Sequence, residues 1–460
     1  MLRALSPVDG RVYVERALAS EKDIDRALSS ASVAQRDWAA RGLAGRCALL
    51  ARAVDAFVAK RDDIATEITW QMGRPIAQSP GEVRGFEERA RYMLSIANDA
   101  LAPMDPGGKA GFQRQIKRVP LGVVAVIAPW NYPYLTAVNA VIPALAAGNT
   151  VVLKHSHQTP LCAERFDEAF KSAGLPEGVF QYLHLSHADT ARLVADTRIA
   201  FVAFTGSVAG GHAVQQALSK GFAGAGLELG GKDPAYVRAD ADLAHAVETI
   251  TDGAFFNSGQ SCCGIERVYV HEQLFDAFVD AVVALTKQYR LGNPTDPSVN
   301  LGPMVRPEAA RFVRGQIEQA VQLGAKALID PKHFAASMPG TSYLAPQVLT
   351  GVDHSMRIMS EETFGPAVGI MKVSSDEEAV KLMNDSQYGL TAAIFTRDAK
   401  VAESLGDRIE TGTVFMNRCD YLDPALAWTG VKNSGRGCTL SRVGYESLTR
   451  PKSYHFRLPT

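Results

Sequence analysis

From residue 119 onward the chain alternates short, almost wholly apolar runs with helical patterns, and no other feature restricts its fold as much. The runs "GVVAVIAP", "NTVVLK", "IAFVAFTG" and "GLELGG" stand between helical patterns at 134–147, 160–173, 188–196 and 207–221. A strand that is apolar on both sides must be buried on both faces, which points to parallel sheets covered by helices. Such sheets bind ligands beyond the carboxyl ends of their strands, where "FTGS" and "LKHSH" sit. After "LGGKDPAYV" a second series begins, with a helix near 240–258, the adjacent Cys262 and Cys263, a strand "IERVYVH" and a helix over 272–289. A chain of 460 residues exceeds one ordinary core, so more than one α/β substructure is expected.

The segment before residue 119 has a different texture. Over 45–73 the residues Leu49, Leu50, Ala53, Val54, Phe57, Val58, Ile64 and Ile68 recur every three or four positions, which predicts an amphipathic helix stopped by Gly73 and Pro75. A looser helix follows near 85–101, then the Pro/Gly-rich "APMDPGGKAG". Near the end, "LTRPKSYHF" reads as an edge strand or tail in want of a partner. A net charge of −1 gives no sign of the gathered basic surface that nucleic acid binding needs. The most apolar stretches fall short of the ~20 residues of a membrane span, and the opening "MLRALSPVDGRVYVERALAS" carries charges throughout, unlike a secretory signal. Six cysteines at irregular spacing make no disulfide framework, which suits a reducing, cytoplasmic setting.

Three polar residues stand out. Cys262 follows the small, polar "NSGQS", and no CxxC or Cys/His pairing lies nearby to build a metal site. A turn lined with backbone N–H groups would expose and stabilise a thiolate nucleophile; a cysteine filling the core is the other reading. Asn131, in "APWNYP" just past a strand, is either a turn former or an amide aimed at developing negative charge. Glu228, the carboxylate of "GLELGG", is either a solvated strand end or a general base of raised pKa. "FTGSVAGG" follows a strand and opens a helix, so its N–H groups could meet a phosphate, although it is not GxGxxG.

In that order along the chain, "PWNYP", "FTGS", "LELGGK", "FFNSGQSC", "EETFGP" and "GVKNSGRG" resemble the signatures of the aldehyde dehydrogenase superfamily over nearly the whole sequence. The resemblance implies an α/β fold of two parallel-sheet domains, one Rossmann-like for the cofactor and one catalytic, with a small β oligomerisation element. Residues 1–229 would bind NAD(P), interrupted near 109–120 by part of that element; 230–432 would be catalytic, and 433–460 would hold the C-terminal segment and its oligomerisation strand. It implies Cys262 as nucleophile with Cys263 a bystander, Asn131 and the Cys262 backbone N–H as the oxyanion hole, and Glu228 as general base. On the cofactor side it implies Lys154 at the adenosine ribose, Gly206 and Ser207 at the pyrophosphate, Glu362 at the nicotinamide ribose and Phe364 near the nicotinamide, with Trp130, His157 and Leu229 in the same site. No metal is implied. The implied reaction oxidises an aldehyde to a carboxylic acid through a thiohemiacetal, hydride transfer to NAD or NADP, and hydrolysis of a thioester. The implied partners are a small aldehyde and further copies of the chain, as a homodimer or homotetramer, with neither nucleic acid nor membrane.

The sequence also departs from the family's pattern. His157 stands where NAD-preferring members carry a glutamate, and an imidazole beside Lys154 does not repel a 2′-phosphate, which predicts dual or NADP-leaning specificity. Ala140 and Thr439 replace the lysine and glutamate that pass protons from the general base, so Glu228 exchanges protons by water or another path. In the substrate mouth, which includes Tyr421, Arg418 offers a partner for a carboxylate-bearing semialdehyde, whereas Tyr132 and Trp428 suit an aromatic or long apolar chain. The rival readings are a coenzyme-A-acylating dehydrogenase, which typically lacks the base at 228, a nitrilase-like Cys/Glu/Lys hydrolase that needs no nucleotide, and a silent scaffold, against which the intact Cys262, Glu228 and Asn131 argue.

Overall fold

The computed structural model describes residues 1–459. Two open sheets carry the fold. The six-stranded sheet runs Gly435–Arg436, Gly224–Glu228, Ile199–Thr205, Val123–Ile127, Thr150–Lys154 and Phe180–Tyr182, parallel but for its first strand. The seven-stranded sheet runs Lys326–Ala327, Gln347–Thr350, Ala367–Val373, Ile265–His271, Asp233–Val237, Thr391–Phe395 and Thr413–Met416, again parallel but for its first strand.

Both sheets are buried on two faces, as their apolar strands require. Successive strand residues point to opposite sides: Ala235, Val237, Val268 and Val270 enter one core, while Tyr236 and Tyr269 enter another. In the six-stranded sheet Val124, Val126, Val151 and Leu153 face one core and Val123, Ala125, Ile127 and Val152 the other.

Strand order locates the site. From Val123–Ile127 the chain builds outward to one side through Thr150–Lys154 and Phe180–Tyr182, then returns to the other side with Ile199–Thr205. The crevice beyond the carboxyl ends of Val123–Ile127 and Ile199–Thr205 is the switch point at which open α/β sheets bind ligands. Trp130 and Asn131 leave one of these ends, Gly206 and Ser207 the other.

The expected helices of the α/β region are present with ends shifted by a few residues, among them Pro133–Ala146, Val208–Leu218 and Leu243–Phe255. The stretch 45–73 differs from expectation: it is two helices, Leu43–Val58 and Arg61–Met72. The backbone leaves helical geometry at Lys60 (φ −98°, ψ 16°), and Asp62 and Asp63 supply the acidic first turn that a new N-terminus favours. Apolar spacing continues across the break because both helices enter the same core as the helix Pro80–Ala100. Gly73 ends the second in a left-handed conformation (φ 85°).

The strand Thr449–Arg457 pairs antiparallel with Phe112–Pro120 of the same chain, from Thr449 opposite Pro120 to Arg457 opposite Phe112. The tail therefore finds its first partner within its own chain; the outer edge of Thr449–Arg457 is unpaired, whereas that of Phe112–Pro120 is bridged at Ile116 by Met104. Among the described residues no helix is long and apolar enough to cross a membrane, and no group of His, Cys, Asp and Glu side chains is placed to hold a metal ion.

Candidate active site

Cys262 stands on the turn between the helix Leu243–Phe255 and the strand Ile265–His271. After the helix the backbone enters the left-handed region at Asn257 (φ 52°), Ser258 (φ 57°) and Gly259 (φ 68°). Each non-glycine there costs roughly 1 kcal/mol or more, so the surroundings must hold the turn in place. Ser258 Oγ donates to Gly302 O (2.8 Å), and Gln260 Oε1 accepts from Val305 N (2.8 Å). Gly259 and Gly231 allow the closest approaches: a Cβ on the first would strike the Gly365 carbonyl, and on the second the Cys262 carbonyl. The two cysteines part here. Both line the cleft, but Cys262 is half-buried, while Cys263 is buried and donates to Asp420 Oδ1 (2.9 Å). Contact with Cys262 and burial push the Cys263 thiol well above its usual range.

Asn131 is buried, and its Nδ2 donates to Gln260 O (3.2 Å), close to the nucleophile in sequence. That bond uses one amide hydrogen and leaves the second for another acceptor. The Asn131 carbonyl accepts from Arg74 Nη2 and from Asn257 Nδ2 (3.3 Å). Arg74 forms a buried ion pair with Glu82, its guanidinium 4.6 Å above the Tyr132 ring. Glu82 also accepts from Tyr134 N and Leu135 N, both at 2.9 Å, and so caps the helix Pro133–Ala146. Sequence reasoning missed both members of this pair. Arg74 between Gly73 and Pro75 is a visible oddity, but nothing local separates it from a surface turn.

Glu228 ends its strand on the cleft wall, its Oε1 accepting from Thr439 Oγ1 (2.5 Å) and its Oε2 from Thr205 Oγ1 (3.2 Å). Burial raises its pKa; the two hydroxyl donors and the Arg89 charge partly oppose that rise. Thr439 therefore binds the carboxylate directly. Beside it Ala140, Thr439 and Ser447 line a pocket of about 30 Å³, enough for one water.

Around the switch point lies a set of groups suited to a dinucleotide. Lys154 is buried at its strand end, and burial pushes its pKa down to about 8. His157 Nε2 donates to Leu185 O (2.6 Å), and burial lowers its pKa, so the imidazole is neutral at pH 7. Ser207 caps the helix Val208–Leu218 by accepting from Gly210 N (3.2 Å), and Gly206 N donates to Glu228 O (3.0 Å). Leu229 is buried, its N–H donating to Ser434 O (3.0 Å). Glu362 Oε1 accepts from Gly231 N (2.9 Å), a Cβ on Gly230 would strike that carboxylate, and burial raises its pKa to about 7. Phe364 meets the Trp130 ring edge-on at 5.7 Å. Its loop is fixed by Glu266, which accepts from Thr363 N and Phe364 N (both 2.8 Å) and pairs with the buried Lys232 at 2.6 Å. A cation, helix-start N–H groups and a carboxylate at these positions fit a ribose, a pyrophosphate and a second ribose.

Cys262 and Glu228 share the wall of one cleft of about 970 Å³ with Tyr132, Leu135, Tyr421 and Trp428. Arg418 differs from the sequence reading. It is exposed, its guanidinium lies 3.7 Å above the Tyr421 ring, and it takes no part in the cleft lining. The cation–π contact holds it against a ring that is itself tied to Glu88 by the Tyr421 hydroxyl (2.8 Å). Arg89, which the sequence did not single out, does line the cleft. Set among Glu87, Glu88 and Arg91 in a helix, it carries no local mark of burial.

Comparison with known proteins bears on this arrangement. The chain matches the Aldehyde dehydrogenase family across residues 1–454. It is 33% identical over 454 residues to the succinate-semialdehyde dehydrogenase (NADP(+)) of Deinococcus radiodurans, spanning 97% of this chain and 93% of that protein. It is 34% identical over 468 residues to the 3,6-anhydro-alpha-L-galactose dehydrogenase of Streptomyces coelicolor, spanning 99% and 93%. The solved succinic semialdehyde dehydrogenase of Streptococcus pyogenes in complex with NADP+ superposes with a TM-score of 0.94 at 28% identity, covering 99% of this chain and all of that one. None of these findings supports the coenzyme-A-acylating or nitrile-hydrolysing reading.

Proposed function

The chain belongs to the aldehyde dehydrogenase family, and on that premise we propose that Cys262, Asn131 and Glu228 divide the work of its NAD(P)-dependent aldehyde oxidation. The Cys262 thiolate adds to the aldehyde carbon, and the oxygen becomes an alkoxide. The second amide hydrogen of Asn131 and the Cys262 N–H donate to that alkoxide; one such donor contributes roughly 3–4 kcal/mol to lowering the barrier. When bound, the nicotinamide cofactor supplies the two-electron acceptor for the hydride that leaves the same carbon. Cys262 is then left as a thioester. Glu228 takes a proton from water, whose oxygen attacks the thioester carbon, and the carboxylic acid departs as the thiolate is restored. A burial-raised pKa brings Glu228 nearer neutral pH, where a general base works best.

For the cofactor, Lys154 and Glu362 would hold the two riboses, and the Gly206–Ser207 turn with the helix start after it the pyrophosphate. Trp130, Leu229 and Phe364 would shape the nicotinamide end, and the neutral His157 would stand beside Lys154 at the adenosine ribose. We assign 1–229 to the cofactor and 230–432 to the thiol chemistry. The ribbon of Phe112–Pro120 and Thr449–Arg457 would join copies of the chain through the unpaired edge of Thr449–Arg457. Six free cysteines suit a reducing cytoplasm.

The observation that carries this reading is Cys262 and Glu228 on one cleft wall, with Asn131 bonded to the nucleophile's turn. Reduction of NAD or NADP by an aldehyde panel, followed by absorbance of the reduced cofactor, tests it. Cys262→Ala is expected to abolish reduction, and turnover that survives this substitution would remove the assignment.

A further inference from the structure

Three arginines line the cleft, and they differ in what they hold. Arg74 is bound to Glu82, and Arg84 is exposed at the mouth. Arg89 is only 7% exposed, and no carboxylate of the described residues lies within ion-pair distance of it. Its Nη1 donates to two neutral oxygens, Leu135 O (2.7 Å) and Asn139 Oδ1 (3.3 Å). Its Nε and Nη2 donate to no described residue, and neither is sealed from the cleft. A guanidinium so nearly buried without a counter-ion is unusual, because charged groups lose their hydration on burial.

The nearby carboxylates are engaged elsewhere. Glu82 is taken by Arg74 and two backbone N–H groups, Glu228 by the Thr439 and Thr205 hydroxyls, and Glu88, exposed, by the Tyr421 hydroxyl. Across the cleft Asp420 accepts from Ser261 and Cys263, while Glu248 and Asp252 lie on that wall. Two buried donors among the lining residues have no acceptor and are sealed from the cleft. Asn139 turns its Oδ1 to Arg89, which leaves its buried Nδ2 without an acceptor, and the buried Tyr132 hydroxyl has no partner either. Leu135, Leu422 and Trp428 supply apolar wall in the same cleft.

We infer that Arg89 anchors a carboxylate at the far end of the substrate, so that the aldehyde oxidised here is an oxo acid. The inference rests on the oxidation reading above and adds the substrate class. A planar guanidinium with two free nitrogens matches the two oxygens of a carboxylate. The anion also supplies the directly bonded charge that no protein carboxylate gives Arg89. Arg418, the arginine that the sequence suggested for this part, is outside the cleft.

The test pairs substrates of equal carbon number: 4-oxobutanoate with butanal, 5-oxopentanoate with pentanal, and 4-carboxybenzaldehyde with 4-methylbenzaldehyde. The wild type is expected to favour the acid of at least one pair by on the order of 100-fold in kcat/KM, since a site built to bond a charged group discriminates strongly against an analogue lacking it. Arg89→Met is expected to bring that ratio to within a few-fold of unity, mainly through KM for the acid. Arg89→Lys, which keeps the charge and loses the fork, is expected to hold an intermediate ratio. An Arg89 that served only to support Glu228 would instead lower turnover of both members of a pair equally and move the pH profile, leaving the ratio unchanged; that result overturns the inference. Alkanals turned over as well as oxo acids by the wild type would overturn it without any variant. Absence of cofactor reduction with every substrate would overturn the oxidation reading and this inference with it.

Discussion

Thr439→Val isolates one hydroxyl at the general base. Thr439 Oγ1 donates to Glu228 Oε1 at 2.5 Å, the shorter of the two hydroxyl contacts to that carboxylate. Valine keeps the shape, and the backbone bridge of residue 439 to Trp428 is unaffected, since both of its 2.9 Å bonds are main-chain. The hydroxyl can donate to the carboxylate but gives the protonated acid no comparable bond, so it favours ionisation. A hydrogen bond to a charged group contributes about 1.5–3 kcal/mol, and about 1.4 kcal/mol equals one pH unit, so its loss should raise the Glu228 pKa by roughly 1–2 units. Burial already raises that pKa, and the change adds to it with the same sign. Glu228 acts as carboxylate, so the acidic limb of the kcat profile should move to higher pH by the same interval, with activity recovering on the alkaline side. The assay is steady-state turnover across pH, with the burst of reduced cofactor measured alongside to separate acylation from hydrolysis. An acidic limb that stays in place would refute the claim that the Thr439 hydroxyl sets the base.

Arg74→Met should destabilise the chain by about 3–5 kcal/mol in denaturant unfolding, because Glu82 is left buried and uncompensated; adding Glu82→Gln should recover part of that loss, and two purely additive losses would count against the pair. Gly231→Ala would push a methyl into the Cys262 carbonyl and should slow the cofactor burst by roughly 100-fold, as small misplacements of reacting groups do; an unchanged burst would mean that the turn yields freely. The wild type should use NADP at least as well as NAD. His157→Glu, which sets a carboxylate where the neutral imidazole now stands, should move the kcat/KM ratio toward NAD by about tenfold or more through repulsion of the 2′-phosphate. A strong NAD preference in the wild type would contradict this account.

Much of the site could be read along the chain because its groups sit at strand ends and turns, where glycine, proline and lone polar residues interrupt apolar runs. Cys262, Glu228, Asn131, Lys154 and Ser207 all stand at such interruptions. Helix interiors give no such signal. Arg89 looks like any solvated arginine of an amphipathic helix, yet the helix turns it into the cleft. Arg418 stands at an interruption, yet the ring three residues on holds it outside. The break at Lys60 was hidden because two helices entering one core preserve a single apolar rhythm.

By itself, the order of residues determined that two parallel sheets would form and which chemical groups would wait at their ends. Those properties depend on local periodicity and on the few residue types that can interrupt it. Only the tertiary structure decided that Arg74 would meet Glu82 to hold the Asn131 carbonyl, that Thr439 would reach Glu228 across 211 positions, and that Arg89 would be buried without a counter-ion. Whether a charge is paired or bare depends on which distant segments pack around it, and no pattern along one stretch of chain encodes that neighbourhood.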